Sequence, residues 1–412
     1  MLDMNPFTPT FGTSPPLLVG RDGDLADFRE GLRGGPGSPE RATLVTGLRG
    51  TGKTVMLNAY EDVAGEEGWL VISETATPNL IDRITHEHLP RLLSEIDPRQ
   101  TESHLTGVSL PGGFGADREV SVRHTPRPGL RSQLNLLTDL LAERGGSGVL
   151  ITVDEVHRKG MNDLRELGTT IQHAFRERRN VAFVGAGLPS AVDDLLSDEV
   201  STFLRRADRR HLRTVRPEEV AAAIAVPIRE AGRDITPDAL QTAVVGTGGY
   251  PFMIQLVGLH AWRADSTAAT IDVEQARRGV DQARRKVGQL VHASALADLS
   301  DVDRSFLAAM AHDDGPSRMA DIATRLGVDA TYAGQYRLRL IAAEVIEPRG
   351  HGLVDFTLPG LRDYLREHAA SSHWGPEATL PPAERPTLPG VDQERRQLPG
   401  PPDNSGGRGL PR

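Results

Sequence analysis

Leu25, Phe28 and Leu32 fall three and four residues apart in an otherwise charged segment, which puts one apolar stripe on a helix. The period then changes. Ala42 to Thr46 is a short apolar run, and helical spacing returns from about Lys53 to Val63. A strand is predicted at Trp69–Glu74, followed by a helical stretch from Asn79 to Glu95 with a break or kink at Pro90. A helix over Gly129–Glu143 leads into "GVLITVDEVH", a helix near Asn162–Arg178 into "VAFVGAG", and a short strand is expected at His211–Val215. The two quoted runs are apolar on both faces, as central strands of a parallel sheet must be. Strand and helix alternating in this way predict an α/β fold with helices on both faces of a parallel sheet.

Around this core the pattern differs. Residues 1–17, rich in proline and polar side chains, read as a flexible arm before a core of residues 18–216. Glycines and alternating residues near 103–124 read as a hairpin inserted at the surface. Residues 217–298 carry only helical patterns. Residues 299–370 form a separate compact unit, and 371–412, full of proline and glycine, read as a disordered tail.

Composition narrows this picture. At 412 residues the chain exceeds one hydrophobic core and predicts two or three domains. The absence of cysteine excludes disulfides and cysteine-ligated zinc. The first twenty residues lack the basic and apolar regions of a signal peptide, and no apolar run approaches the roughly 20 residues that cross a bilayer. A cytoplasmic protein with no membrane partner is expected. The net charge of -9 argues against non-specific coating of nucleic acid, although "LRRADRRHLRTVR" (Leu204–Arg216) is a local basic stretch.

The candidate chemistry begins in "VTGLRGTGKT". Gly47, Gly50, Thr51, Gly52, Lys53 and Thr54 fit G-x-x-x-x-G-K-[ST] between a strand and a helix. Glycines there let backbone N–H groups converge on phosphate oxygens, Lys53 neutralises their charge, and the Thr54 hydroxyl reaches Mg²⁺. Asp154 and Glu155 stand just past the run "VLITV". A carboxylate there holds Mg²⁺, and a second orients or deprotonates an attacking water. The Asp-Glu pair favours hydrolysis over simple binding, and the lack of an N-K-x-D signature favours ATP over GTP.

These residues resemble the AAA+ and STAND branch of P-loop ATPases, in particular the origin-recognition-like and archaeal-type subgroup, over about residues 18–368. The resemblance implies a P-loop core, a helical lid and a winged helix. "LVGRDGDLADFREGL" looks like the box before the P-loop and places Gly20 and Arg21 near the nucleotide's base. "VGAGLPS" takes the position of the first sensor, where this chain has Gly185, Ala186 and Gly187, with Ser190 the substitute polar residue. Arg206, with Arg205 beside it, matches the arginine finger, a group that acts from a neighbouring subunit and implies a homo-oligomer. "GTGGYPFMIQ" resembles the lid segment that packs by the nucleotide through Tyr250 and Pro251, and no second-sensor arginine lies near it.

Two outputs follow for such an ATPase. In a DNA-associated version, the third helix of the winged helix presents Thr331, Gln335 and Arg339 to the major groove of duplex DNA. In a signalling or transcription regulator with little ATP turnover, the same unit contacts protein. Between Leu299 and Glu367 there are 11 acidic and 8 basic side chains, a poor footprint for phosphate contacts. No metal other than Mg²⁺ is expected, because His86 and His88 stand two apart and do not share a helix face.

Overall fold

The structure, a computed structural model, describes residues 4–10, 12–96, 129–156, 160–197, 204–297 and 299–369. The hairpin expected at 103–124 and the tail expected at 371–412 lie outside these residues. Five strands, β1 (Ala42–Thr46), β2 (Leu70–Thr75), β3 (Val149–Val156), β4 (Val181–Gly187) and β5 (Asp208–His211), form one parallel sheet in the order β2-β3-β4-β1-β5. The helices of this core are α1 (Asp22–Arg33), α2 (Lys53–Glu66), α3 (Leu80–Arg83), α4 (Leu89–Ile96), α5 (Leu130–Glu143), α6 (Met161–Arg176) and α7 (Pro189–Ser197).

The strand period of two sorts the side chains into two layers. Val45, Leu150 and Val184 pack against Phe28, Leu32, Met56 and Tyr60 of α1 and α2. Leu44, Ile151 and Phe183 face Leu134, Leu137, Leu167 and Ile171 of α5 and α6. Each such side chain is fully or nearly fully buried, which stabilises by about 1.5–3 kcal/mol per residue. The kink expected at Pro90 takes the form of a π turn over Ile84–His88 between α3 and α4. Proline has no N–H and crowds the carbonyl four residues earlier, and one wider turn accommodates both.

The last strand lies three residues earlier than expected. β5 runs through the basic stretch, and its residues Asp208–His211 pair with Thr43–Thr46. An edge strand tolerates charge when its side chains find partners, and Arg210 lies 2.6 Å from Asp208, 2.8 Å from Asp24 and 2.9 Å from Asp27. Those carboxylates raise the pKa of its guanidinium. Arg210, within the basic stretch, is therefore committed to partners inside the chain.

Helices α8 (Pro217–Glu230), α9 (Pro237–Thr247), α10 (Pro251–Ala264), α11 (Val273–Val287) and α12 (Ala293–Ala297) form the helical unit at the place expected for a lid, with a two-strand link between β6 (Asp234–Ile235) and β7 (Thr270–Ile271). The C-terminal unit orders α13 (Asp301–Ala311), β8 (Ser317–Arg318), α14 (Met319–Leu326), α15 (Ala330–Ala342), β9 (Ile346–Pro348), β10 (Leu353–Phe356) and α16 (Leu361–Ala369), its strands lying as β8-β10-β9. One apolar cluster runs without a break from Val220 in α8 to Leu365 in α16.

The N-terminal segment, expected to be a flexible arm, is docked where it is described. Phe7 is 2% exposed and packs in the lid cluster. Its ring lies where a side chain on Gly258 of α10 would stand, 2.4 Å from the position of a Cβ there. Asn5 Nδ2 donates to the Leu259 carbonyl at 3.1 Å, and Asn58 Nδ2 of α2 donates to the Gly12 carbonyl at 2.9 Å. Phe7 and Phe11 among prolines and threonines do not mark a packed segment, so the seat of Phe7 was not readable from the sequence.

Candidate nucleotide-binding site

β1 ends at Thr46, and the loop Gly47–Gly52 turns the chain into α2, whose first residue is Lys53. Gly50 and Gly52 adopt φ of +74° and +91°, conformations that a side chain would strain. Gly50 is doubly required, because a Cβ there would stand 2.0 Å from the Tyr250 hydroxyl oxygen. The Thr51 hydroxyl donates to the Leu48 carbonyl at 2.8 Å and holds the loop closed. Lys53 Nζ curls back over the loop and donates to the carbonyls of Gly47 and Leu48 at 2.8 and 2.9 Å. Burial pushes the Lys53 pKa down, while the charges of Asp154 and Glu344 act in the opposite direction.

The order of the sheet places the end of β3 one strand away from the loop, across β4. The Thr54 hydroxyl nevertheless donates to Asp154 Oδ2 at 2.5 Å across the gap. Asp154 Oδ1 accepts the Glu155 N–H at 2.7 Å. Glu155 itself has φ of +53° at an irregularity in the β3–β4 register between Val153 and Val156. A glutamate held in the left-handed region at a strand end is a strained residue of the kind that clusters at functional sites. A cleft of about 250 Å³ opens here, lined by Thr54, Asn58, Glu61, Glu74, Thr75 and Asp154. Glu74, which the sequence did not single out, is held by Arg83 at 2.8 Å and His88 at 2.9 Å. Its burial opposes ionisation, yet these two partners keep its pKa below the usual glutamate range.

The lid closes on the loop through Tyr250. Its ring is 1% exposed, burial raises its pKa, and its hydroxyl donates to the Arg49 carbonyl at 2.7 Å. Pro251 begins α10, where its missing N–H and fixed φ suit the first turn. Arg21 precedes α1 and donates to the Arg213 carbonyl at 3.1 Å, and burial lowers its pKa. Gly20 beside it has a carboxylate oxygen of Glu219, from α8, 2.7 Å from where its Cβ would be. The box before the loop thus meets the segment that joins core to lid.

β4 ends in Gly185, Ala186 and Gly187, and Ser190 follows in the first turn of α7. Ser190 is taken by a residue 154 positions away: its N–H and hydroxyl donate to Glu344 Oε1 at 2.9 and 2.5 Å. Nothing in local sequence signals that pairing. Arg205 donates to the Leu196 carbonyl at 2.8 Å, whereas Arg206 is exposed just before β5.

On α15, Thr331, Gln335 and Arg339 lie along one exposed row, but Arg339 is engaged within the chain. It forms a 2.7 Å ion pair with Asp303, which is 2% exposed, and stacks over Tyr336. Leu340 is buried, with Tyr336 and Ile341 packed beside the core. Among the described residues there is no cluster of histidine and carboxylate side chains able to hold a metal, and His86 and His88 stay apart, the second on Glu74.

Residues 17–184 match the family model described as AAA ATPase domain, and residues 289–365 match a domain of unknown function (DUF8462). No curated protein matches the chain in sequence. Among solved structures, the Walker-type ATPase of Pyrococcus abyssi is similar, with 18% identity and a TM-score of 0.57 over 85% of this chain and 96% of its own. The ORC2 protein of Aeropyrum pernix is similar at 15% identity and a TM-score of 0.55, over 88% of this chain and 98% of its own. With the loop, the strand-end carboxylate and the sheet order in place, residues 17–184 are similar to the AAA ATPase domain, and the chain shares the fold of the archaeal Walker-type ATPase and the ORC2 protein.

Proposed function

We propose that the chain is a Mg²⁺-dependent ATPase in which nucleotide at the core–lid junction sets the position of the C-terminal unit. One observation carries this reading: the Thr54 hydroxyl and the Asp154 carboxylate meet at 2.5 Å, beside Lys53 at the mouth of the loop. A hydroxyl and a carboxylate are hard oxygen donors, the set that suits Mg²⁺ with bound phosphates. The ion supplies charge neutralisation between phosphate oxygens. The chain's own groups do the remaining work. Backbone N–H groups of the Gly47–Gly52 loop and the positive end of α2 bind phosphate oxygens, and Lys53 balances their charge. Glu155 orients the attacking water and takes its proton. The ORC2 relative is described in complexes with ADPNP and ADP, which supports adenine nucleotides here.

The C-terminal unit is read as a winged helix that works by packing. The ion pair between Arg339 and buried Asp303 favours this regulator-like reading, because the most useful cation of the exposed row already has a partner. A second reading, a DNA-associated ATPase, rests on the exposure of Thr331, Gln335 and Arg339 along α15. In this second reading Arg206 is assigned as a finger for a neighbouring subunit, a role worth roughly 10³–10⁵ in rate where it operates.

Steady-state ATP hydrolysis across a protein-concentration series, with and without duplex DNA at fixed salt, tests the proposal. Mg²⁺-dependent turnover that ignores DNA and concentration supports the monomeric switch. Stimulation by DNA, with specific activity rising with concentration and lost in Arg206→Ala, moves the assignment to the DNA-associated oligomer. No nucleotide binding at all would sink both.

A further inference from the structure

We propose that Glu344 determines the preference of the site between di- and triphosphate, by holding in cis the position that a γ-phosphate needs; this rests on the ATPase reading above. Glu344 lies two residues beyond the end of α15, in the C-terminal unit, yet its carboxylate reaches the start of α7 in the core. Its Oε1 accepts both the N–H and the hydroxyl of Ser190. Its Oε2 is buried and has no hydrogen-bond partner among the described residues. A buried, half-satisfied carboxylate is unfavourable unless another group gains from its charge.

The backbone carries the same message. The Val345 N–H bonds the Leu340 carbonyl and the Glu344 N–H bonds the Ile341 carbonyl, which makes Glu344 the residue that reverses the chain after the helix. It has φ of +58°, at a place where glycine is the usual residue. The Thr357 hydroxyl donates to the Glu344 carbonyl at 2.5 Å and fixes the turn. A glutamate kept in the left-handed region, with its carboxylate aimed into another domain, is explained by what that carboxylate meets.

What it meets is the start of α7, at the same edge of the sheet as the ends of β1 and β3. β4 lies between β1, which feeds the phosphate loop, and β3, which ends in Asp154, so the α7 terminus after β4 opens on the same crevice. The charge of Glu344 also acts on Lys53. A carboxylate at the N-terminus of α7, whose charge is felt by Lys53, can stand in for terminal phosphoryl oxygens. A diphosphate leaves it undisturbed. A triphosphate brings a further anion against a buried carboxylate and competes for the same donors, so ATP and the Ser190–Glu344 contact exclude one another. By reciprocity, ATP then loosens the C-terminal unit from the core, and loosening that unit raises ATP affinity.

The test uses the full chain, with ADP and a non-hydrolysable ATP analogue competing against a fluorescent nucleotide in Mg²⁺. Glu344→Gln keeps the shape and removes the charge. It is expected to tighten the analogue by about tenfold while ADP changes less than about threefold. An unchanged ratio of the two affinities overturns the proposal. Hydrogen exchange of the wild-type chain over residues 340–346 gives a readout independent of that variant: exchange is expected to speed up with the analogue and not with ADP, and equal protection in both states overturns it. Wild-type protein that binds neither nucleotide defeats the ATPase reading itself. Binding of both with an unshifted ratio defeats only the role of Glu344.

Discussion

The Tyr250 hydroxyl and the Arg49 carbonyl, 201 residues apart in sequence, are joined by a 2.7 Å hydrogen bond that fastens the lid to the crown of the phosphate loop. Gly50 makes this possible, since any side chain there would occupy the space of the tyrosine oxygen. Loop conformation and lid position are thereby one variable.

Two substitutions separate the parts of that contact. Tyr250→Phe removes one buried hydrogen bond, worth about 1 kcal/mol, and is expected to weaken nucleotide binding by roughly fivefold. Gly50→Ala adds left-handed strain of about 1–2 kcal/mol and a clash with the ring, and should weaken binding by more than tenfold. Fluorescent-nucleotide titration ranks the two; equal affinities for both variants and wild type would show that the lid contact does not bear on the site.

Lys53→Ala removes the ammonium that the Gly47 and Leu48 carbonyls hold at the loop mouth. Nucleotide affinity is expected to fall by about 100-fold, equivalent to about 2.8 kcal/mol, with little change in thermal unfolding of the ligand-free chain. Calorimetric titration reads this directly, and retained affinity means that phosphate binds elsewhere.

Glu155→Gln preserves size and leaves the Asp154–Thr54 contact in place. Turnover should drop by roughly 10²–10⁴ while ATP affinity stays within a few-fold of wild type. Single-turnover hydrolysis decides the matter: full-rate turnover in the variant assigns the base to another group.

The seam between lid and C-terminal unit is expected to be acid-sensitive through His292. Burial lowers its pKa first of all, a hydrogen bond to the Pro359 carbonyl opposes that shift, and the charge of His368 adds to the lowering. The ring sits edge-on to Tyr364 of α16, 5.2 Å between centroids. A histidine whose folded pKa lies below its unfolded value of about 6.5 is protonated more readily in the unfolded chain. Its contribution is complete above pH 6.5 and declines as pH falls from there toward the folded pKa. Thermal unfolding followed from pH 7.5 to 5.5 should show this decline, and His292→Gln should flatten it. A wild-type profile matching that of the variant would remove His292 from the account.

The loop and its strand–helix frame were legible because their signals are local. The glycines, lysine and threonine of the loop lie within eight consecutive positions, and the apolar run Ala42–Thr46 coincides with β1. The buried strands β3 and β4 announced themselves by hydrophobicity on both faces. β5 did not, because its Arg210 is satisfied by α1 across a gap of some 180 positions, and a hydropathy pattern has no way to register a partner that distant. The same holds for Glu344, whose site role exists only once residue 190 and residue 344 are brought together. Phe7 was misread for a related reason. Two phenylalanines among prolines and threonines are too little to mark a segment as packed, although the buried Phe7 is enough to hold one.

That seat of Phe7 bears on where the chain can be cut. The matched AAA ATPase domain begins at residue 17, ten positions after a ring that fills the lid near Gly258. A chain trimmed to the domain's own edge would leave a phenyl-sized hole between helices, a loss of the order of 3–5 kcal/mol. The same segment also grips α2 through Asn58, so it acts as a leash with one end on the lid and the other on the helix that begins at Lys53. The N-terminal segment thus ties the lid to the helix that carries the loop lysine.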